Sequence, residues 1–265
     1  MKKIKNGFFI TVEGIDGSGK SSLVNFLSSA LFNLDFDVIK TREPGGTWLG
    51  AELREIIIGG ALGTSDLSKL AGQSQPQEFV KHMKNALPTS LAIDSTELGC
   101  PGQRGLRPTI DRKAEFLLFA ADRAQHVYAL INPGLNNGSI VISDRGSYSS
   151  LAYQGYGKGL DREMISSVNS WVVGTTKPDM VIYLKIDYNT AIKRVLDRGE
   201  KITSFEKKGE EFFNKVINGF NELFYLRSQE VPDSIMTIDA SQSAEKVNKE
   251  VLDKILPIIM LKERI

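Results

Sequence analysis

Five short runs of apolar and β-branched residues punctuate the chain: Phe8 to Val12, Asp37 to Thr41, Ser139 to Ser143, Met180 to Ile186 and Ile235 to Ile238. Each is short and nearly unbroken in hydrophobicity, the pattern of strands buried on both faces of a parallel sheet. Between them apolar positions recur at helical spacing. Ser22 to Phe32 reads as an amphipathic helix, and Ala114 to Ile131 presents Phe116, Leu117, Ala120, Ala124, Val127, Leu130 and Ile131 on one broad face, with Pro133 and Gly134 expected to end it. Strand alternating with helix predicts an α/β fold with a doubly wound, five-stranded parallel sheet, whose ligands sit at the carboxyl ends of the strands.

One segment breaks this rhythm. Residues 62 to 109 hold four of the nine prolines, several glycines and little β-branched density. Within them PQEFVKHMKNAL has the spacing of a short helix burying Phe79, Val80, Met83 and Leu87. A structureless loop of this length is uncommon in a compact domain, so the segment is either a small ordered insertion or a disordered excursion. The chain is otherwise expected to form one domain over residues 1 to 265.

The first strand runs into GIDGSGKS, residues 14 to 21, and then the first helix. Glycines at Gly14 and Gly19 allow successive backbone N–H groups to turn inward around phosphate oxygens, at a helix N-terminus that already favours negative charge. Lys20 can reach the outer phosphates of a nucleotide and the Ser21 hydroxyl can ligate Mg²⁺. A chance glycine-rich turn is the bland alternative, and the strand-loop-helix setting argues against it.

Composition narrows the rest. Lysine plus arginine number 33 against 32 acidic residues, a formal net charge of +1, so no global field points to nucleic acid or a membrane surface. Any anion site must come from local arginines. The single Cys100 excludes an intramolecular disulfide, and two histidines are too few for a His-rich zinc site. A reducing cytoplasm is expected. The basic start MKKIKNG precedes an apolar run too short for a signal peptide or a bilayer span.

Two strand ends carry charged pairs. After the second comes TREPGGTWLGAELREI, with Arg42 and Glu43 at the sheet edge and Arg54 on the next helix. After the third comes SDRGSYSSLAYQGYGKG, where Asp144 is placed to assist a Mg²⁺ shell through water and Arg145 to clamp a second phosphate. Such pairs are often structural salt bridges, but two converging on the edge that holds a phosphate loop favour a second anionic substrate. Phosphoryl transfer needs two anions held in line, and Arg42, Arg54, Arg123 and Arg145 are candidate acceptor clamps. A GTPase would need a guanine-reading Asn-Lys-x-Asp; the nearest match, Asn248 to Val251, lacks the final acid.

Taken in order, the phosphate loop, TREPGGT, EFLLFAADRAQHV, SDR…SSLAYQGYGKGLD and KPDMVIYLKID resemble the thymidylate kinase family over nearly the whole chain apart from residues 62 to 109. The resemblance implies a P-loop nucleoside monophosphate kinase fold and transfer of the ATP γ-phosphoryl group to dTMP, giving dTDP and ADP on the way to dTTP, with Mg²⁺ as the accompanying ion. It implies ATP contacts from Gly14, Ile15, Asp16, Gly17, Ser18 and Gly19, from Lys20, Ser21 and Ser22, and from Arg194 and Arg198. For dTMP it implies Phe119 stacked on the thymine, Arg123 on a pyrimidine carbonyl, and Gln154 and Ser150 on the rest of the base edge. Tyr153 would lie under the sugar and Asp16 would meet the 3′-hydroxyl. Arg42, Arg54 and Arg145, with Glu43 nearby, would grip the acceptor phosphate. Lys20, Arg42, Arg145 and Asp16 are then the catalytic set, Ser21 and Asp144 the metal set, and a homodimer the expected assembly.

The chain also departs from the family pattern. Gly146 stands where an aromatic residue or histidine is usual, and Tyr148 where an acid often stands. Members with glycine at the position of Gly17 usually supply an arginine from a lid, here residues 199 to 210, yet this lid reads Thr203-Ser204-Phe205-Glu206. No arginine occurs between Gly199 and Leu226, leaving Lys201, Lys207 or Lys208 as weaker substitutes. A kinase for another nucleoside monophosphate, or a nucleotide-binding protein with weakened catalysis, are the alternatives.

Overall fold

The structure, a computed structural model, describes residues 1–58, 110–199, 208–232 and 234–263. The 62–109 segment, with the short helix expected to bury Phe79, Val80, Met83 and Leu87, lies outside them, as does most of the 199–210 lid.

Five parallel strands form one sheet in the order β2-β3-β1-β4-β5. They are β1 (Phe8–Glu13), β2 (Val38–Arg42), β3 (Ile140–Asp144), β4 (Met180–Lys185) and β5 (Ile235–Asp239). The inner strand β1 is buried at every position, whereas the edge strands β2 and β5 mix buried and open positions, as an edge must. On β1 and β3, residues at odd and even places feed different cores. Ile10, Ile142 and Ile182 join Leu23, Leu27 and Leu31 of α1 (Lys20–Asn33) and the Val251, Ile255 and Ile259 stripe of a C-terminal helix. On the opposite face Phe9 and Val141 pack with Val127 and Ile131 in a second, smaller core.

Register brings the strand ends level. Val12 and Arg42 both stand opposite Asp144, Arg145 N–H donates to the Val12 carbonyl at 2.9 Å, and Glu43 N–H donates to the Asp144 carbonyl at 2.9 Å. Glu13, Arg42 and Asp144 therefore end side by side, at the point where chain connections leave β1 in opposite directions.

The helices begin where their sequences allow. Thr47 caps α2 (Trp48–Ile57) through Gly50 N–H, and Asp111 caps α3 (Arg112–His126) through Lys113 and Ala114 N–H. The α3 helix does not stop at Pro133 as expected. It passes through a π-helical turn, Val127–Ile131, into α4 (Asn132–Asn136), with Pro133 directly after the π turn. Gly134 is a spacer: a Cβ there would come within 2.7 Å of Ile39. The turn out is made by Gly138, at φ 81°. Beyond β3, α5 (Ser147–Ser150) runs into a second π-helical turn, Leu151–Gly157, followed by α6 (Arg162–Val173), α7 (Tyr188–Asp197), α8 (Glu210–Glu230) and α9 (Ala244–Glu263).

Candidate active site

The loop between β1 and α1 is built as its glycines require. Gly17 sits at φ 81° with the Ala191 carbonyl 2.2 Å from where a Cβ would be, and Gly19 caps α1 at φ 95°. Lys20 folds back to donate to the Ile15 carbonyl at 2.8 Å. Burial, aided by the nearby Arg145 charge, pulls its ammonium down to about 8. Beside it the Ser21 hydroxyl donates to Asp144 Oδ2 at 2.5 Å, while Asp144 Oδ1 is buried with no hydrogen-bond partner among the described residues. An unpaired carboxylate oxygen and a hydroxyl at a phosphate loop suit a Mg²⁺ ion that takes its other ligands from phosphate and water. No larger cluster of candidate metal ligands occurs among the described residues.

The neighbouring end of the site is crowded with positive charge. Arg54 donates to the Pro44 carbonyl at 3.0 Å, and burial, then the Arg42 and Arg145 charges, lower its pKa. The Arg42 side chain is exposed and makes no hydrogen bond or ion pair among the described residues. An anion placed beside Arg54 would offset the like charges of Arg42 and Arg145 that bear on it. Arg145 is more committed than expected: it reaches Asp16 Oδ1 at 2.6 Å, the Gly14 carbonyl at 3.0 Å and Ser149 Oγ at 3.2 Å. Its backbone is left-handed, φ 77°. Burial works against the Arg145 charge, but Tyr153, Asp16, Asp144 and Glu13 outweigh that and hold it firmly protonated. Asp16 likewise stays ionised despite burial because Arg145, Lys20 and the Tyr153 hydroxyl, which donates at 2.9 Å, all favour its charge.

Glu13 holds this strap in place. Fully buried, it accepts from Gly146 N–H at 2.9 Å and from the Ser149 hydroxyl at 2.5 Å. Burial, only partly offset by Ser149 and the two arginines, pushes its carboxyl up to about 7.

The deeper wall is a buried polar network. Arg123 Nε donates to Glu43 Oε2 at 2.8 Å, and its other nitrogens to Asn169 Oδ1 at 2.6 Å, Ser150 Oγ at 3.1 Å and the Gly146 carbonyl at 3.2 Å. His126 Nδ1 lies 3.0 Å from Glu43 Oε1 and its Nε2 lies 2.7 Å from Thr41 Oγ1. An ionised Glu43 only accepts, so the proton is on Nδ1. Glu43 stays below the usual carboxylate range because Arg123 and His126 overcome the effect of burial. Arg123 is thus mostly spent inside the protein, with one N–H left for a ligand. Phe119 packs half-buried against the core, and Gln154 Nε2 donates to Glu115 Oε1 at 2.9 Å. On the far side Arg194, expected to contact ATP, grips the carbonyls of Ala240, Ser241 and Gln242 at 2.7 to 3.1 Å and shapes the loop they form.

One cavity of about 700 Å³ connects these parts, large enough for two nucleotides meeting end to end. Every expected site residue lines it except Gly14, which supplies backbone to Arg145, and Ile15, whose side chain is in the core. Sequence reasoning missed Glu13, Glu115, Asn169 and His126. A carboxylate closing an otherwise apolar strand, FFITVE, was the available signal for Glu13; the others look like ordinary helix polar residues.

A sequence profile described as thymidylate kinase matches residues 12–93 and 104–251, taking in much of the 62–109 segment that the motif resemblance left aside. The chain is 33% identical over 254 residues to the thymidylate kinase of Halothermothrix orenii, covering 94% of this chain and 96% of that one. It is 36% identical over 246 residues to the thymidylate kinase of Synechococcus sp., covering 91% and 93%. The crystal structure of thymidylate kinase from Ehrlichia chaffeensis superposes with a TM-score of 0.60 at 26% identity, over 94% of this chain and 98% of that one.

Proposed function

This chain belongs to the thymidylate kinase family, and from that premise we propose that it transfers the γ-phosphoryl group of ATP to dTMP, with the roles divided as follows. Lys20 and the loop N–H groups bind the ATP phosphates, and Lys20 follows the moving group. Arg42 and Arg54 hold the acceptor phosphate, with Arg145 behind them locking Asp16. Phe119, Arg123, Ser150 and Gln154 receive the thymine, and Tyr153 limits room at the sugar. The observation that carries this reading is the convergence of Lys20, Arg42, Arg54 and Arg145 on one cavity, where cations of one sign await two sets of phosphates. Two anions brought together against their repulsion need that arrangement, and the transition state gains from it further as charge shifts between them.

Ser21 and Asp144 would hold Mg²⁺, which neutralises phosphate charge when bound. Arg194 and Arg198 border the donor end, where Arg194 fixes the loop after β5. A single domain with an inserted 62–109 segment and a 199–210 lid remains our reading of the chain's organisation. A homodimer is supported by large apolar side chains left open on neighbouring helical faces, Leu117, Tyr128, Met164 and Trp171. No helix among the described residues is long and apolar enough to cross a membrane; a cytoplasmic location is part of the proposal.

ADP release measured with ATP and each of dTMP, dUMP, UMP, CMP and AMP tests the reaction. dTMP should be the best acceptor, and Lys20→Ala should lower turnover by about 100-fold or more while the fold survives. Acceptor-independent ADP release, or ATP binding without turnover, would overturn it.

A further inference from the structure

Glu115 lies on α3, 7% exposed, with its two carboxylate oxygens divided between two partners. Oε1 accepts from Gln154 Nε2 at 2.9 Å, and Oε2 meets the Lys158 ammonium in a short ion pair. Gln154 is itself 2% exposed, lines the large cavity, and its side-chain oxygen accepts no hydrogen bond among the described residues. An amide can present either its NH₂ or its oxygen, and the two ends are chemically opposite. A carboxylate oxygen only accepts, so beside Glu115 the NH₂ must turn toward α3. The oxygen is then the end left for a ligand.

We infer that Glu115 is a positioning residue that fixes which end of Gln154 meets the acceptor base, and thereby selects a pyrimidine carrying a donor at N3 over one carrying an acceptor there. This rests on the reading that the acceptor base sits against Gln154. Thymine and uracil have N3–H, whereas cytosine has a bare N3 lone pair. An oxygen facing N3 satisfies the first and repels the second.

The pairing with Lys158 makes the inference testable by an isosteric change. In Glu115→Gln the lysine, which has only donors, claims the new amide's oxygen. Its NH₂ must then face Gln154, which can answer only by turning its own oxygen inward and its NH₂ toward the base. Removing the lysine's demand, as in Glu115→Gln combined with Lys158→Met, frees residue 115 to turn back.

The test is kcat and KM of the full-length protein for dTMP and dCMP at saturating ATP. The preference for dTMP, as a ratio of kcat/KM values, should fall by about 10- to 100-fold in Glu115→Gln, mainly through KM, and recover in the double variant. Any cost at the 4-position of cytosine is common to all forms and cancels from the comparison. A role confined to stability would lower both substrates alike and leave the ratio unmoved, which would overturn the inference; so would a double variant no more selective than the single one. If Glu115→Gln does not fold, Gln154→Met decides between the outcomes: a preference that survives loss of the amide means Glu115 has nothing to orient. A wild-type protein without dTMP turnover would instead bring down the acceptor-site reading, and this inference with it.

Discussion

At the scale of single residues, two buried charges give the site a pH signature. Lys20 stands at about 8 in the protein alone, and nucleotide phosphates beside it must raise that value. ATP binding near pH 8.5 should therefore take up a proton, and affinity should weaken as pH rises above 8. Calorimetry in buffers of different protonation enthalpy checks this, and Lys20→Ala should lose the uptake. Glu13 shifts the other way, from 4.5 up to about 7 through burial. Between those values the folded chain holds a proton that the unfolded chain lacks, so Glu13 stabilises the fold fully below 4.5 and ceases to as pH rises through 7. Glu13→Gln, which keeps an acceptor for Gly146 N–H, should gain on the wild type by about 3 kcal/mol between pH 4.5 and 8, read from urea unfolding midpoints. A carboxylate kept where it opposes stability is a sign that the site uses its charge. Residue identities at the site were legible from the chain because phosphate chemistry demands lysine, arginine and glycine at fixed spacing. What those arginines touch was not: Arg42 and Arg123 look alike in sequence, yet one is open and the other has nearly all its donors bound.

At the scale of elements, the turn Leu151–Gly157 owes its position to α8. A Cβ at Gly219 would approach the Tyr156 ring to 2.6 Å, and one at Gly157 would approach Phe212 to 2.6 Å. Tyr153 in the same turn stands edge-on to Phe213 and Phe220 at 6.5 and 6.3 Å, so α8 also backs the wall of the cavity. Gly219→Ala should thus destabilise the protein by about 1–2 kcal/mol, overpacking outweighing the better helix propensity of alanine, and should raise KM for dTMP as Tyr153 is displaced. Thermal unfolding and acceptor titration report the two effects separately. Strand positions were readable to within a residue because a buried parallel strand has few alternatives to an unbroken apolar run. The π-helical turns at Val127–Ile131 and Leu151–Gly157 were not, since over five to seven residues a π turn and an α turn bury nearly the same pattern. The same ambiguity hides from the sequence that the helical run continues past Pro133.

At the scale of the whole molecule, donor and acceptor ends share one cavity on one sheet edge. A single ligand carrying adenosine and thymidine joined through a chain of phosphates should therefore raise Tm by more than ATP and dTMP supplied together at equal concentration, because the second contact becomes intramolecular. A shift no larger than that of either nucleotide alone would mean the ends are not occupied together. The lid sequence Thr203-Ser204-Phe205-Glu206 lies outside the described residues, but its missing arginine still frames the chemistry. Ser204→Arg should raise kcat with little change in KM for dTMP, the mark of a contact made mainly in the transition state. Gly17 decides where such a charge can come from. With its Cβ position filled by the Ala191 carbonyl at 2.2 Å, the loop has no berth for a longer side chain, so the missing cation cannot be grafted from beneath. Gly17→Arg should wreck the cradle, lowering ATP affinity and turnover together, whereas Ser204→Arg should leave ATP affinity intact.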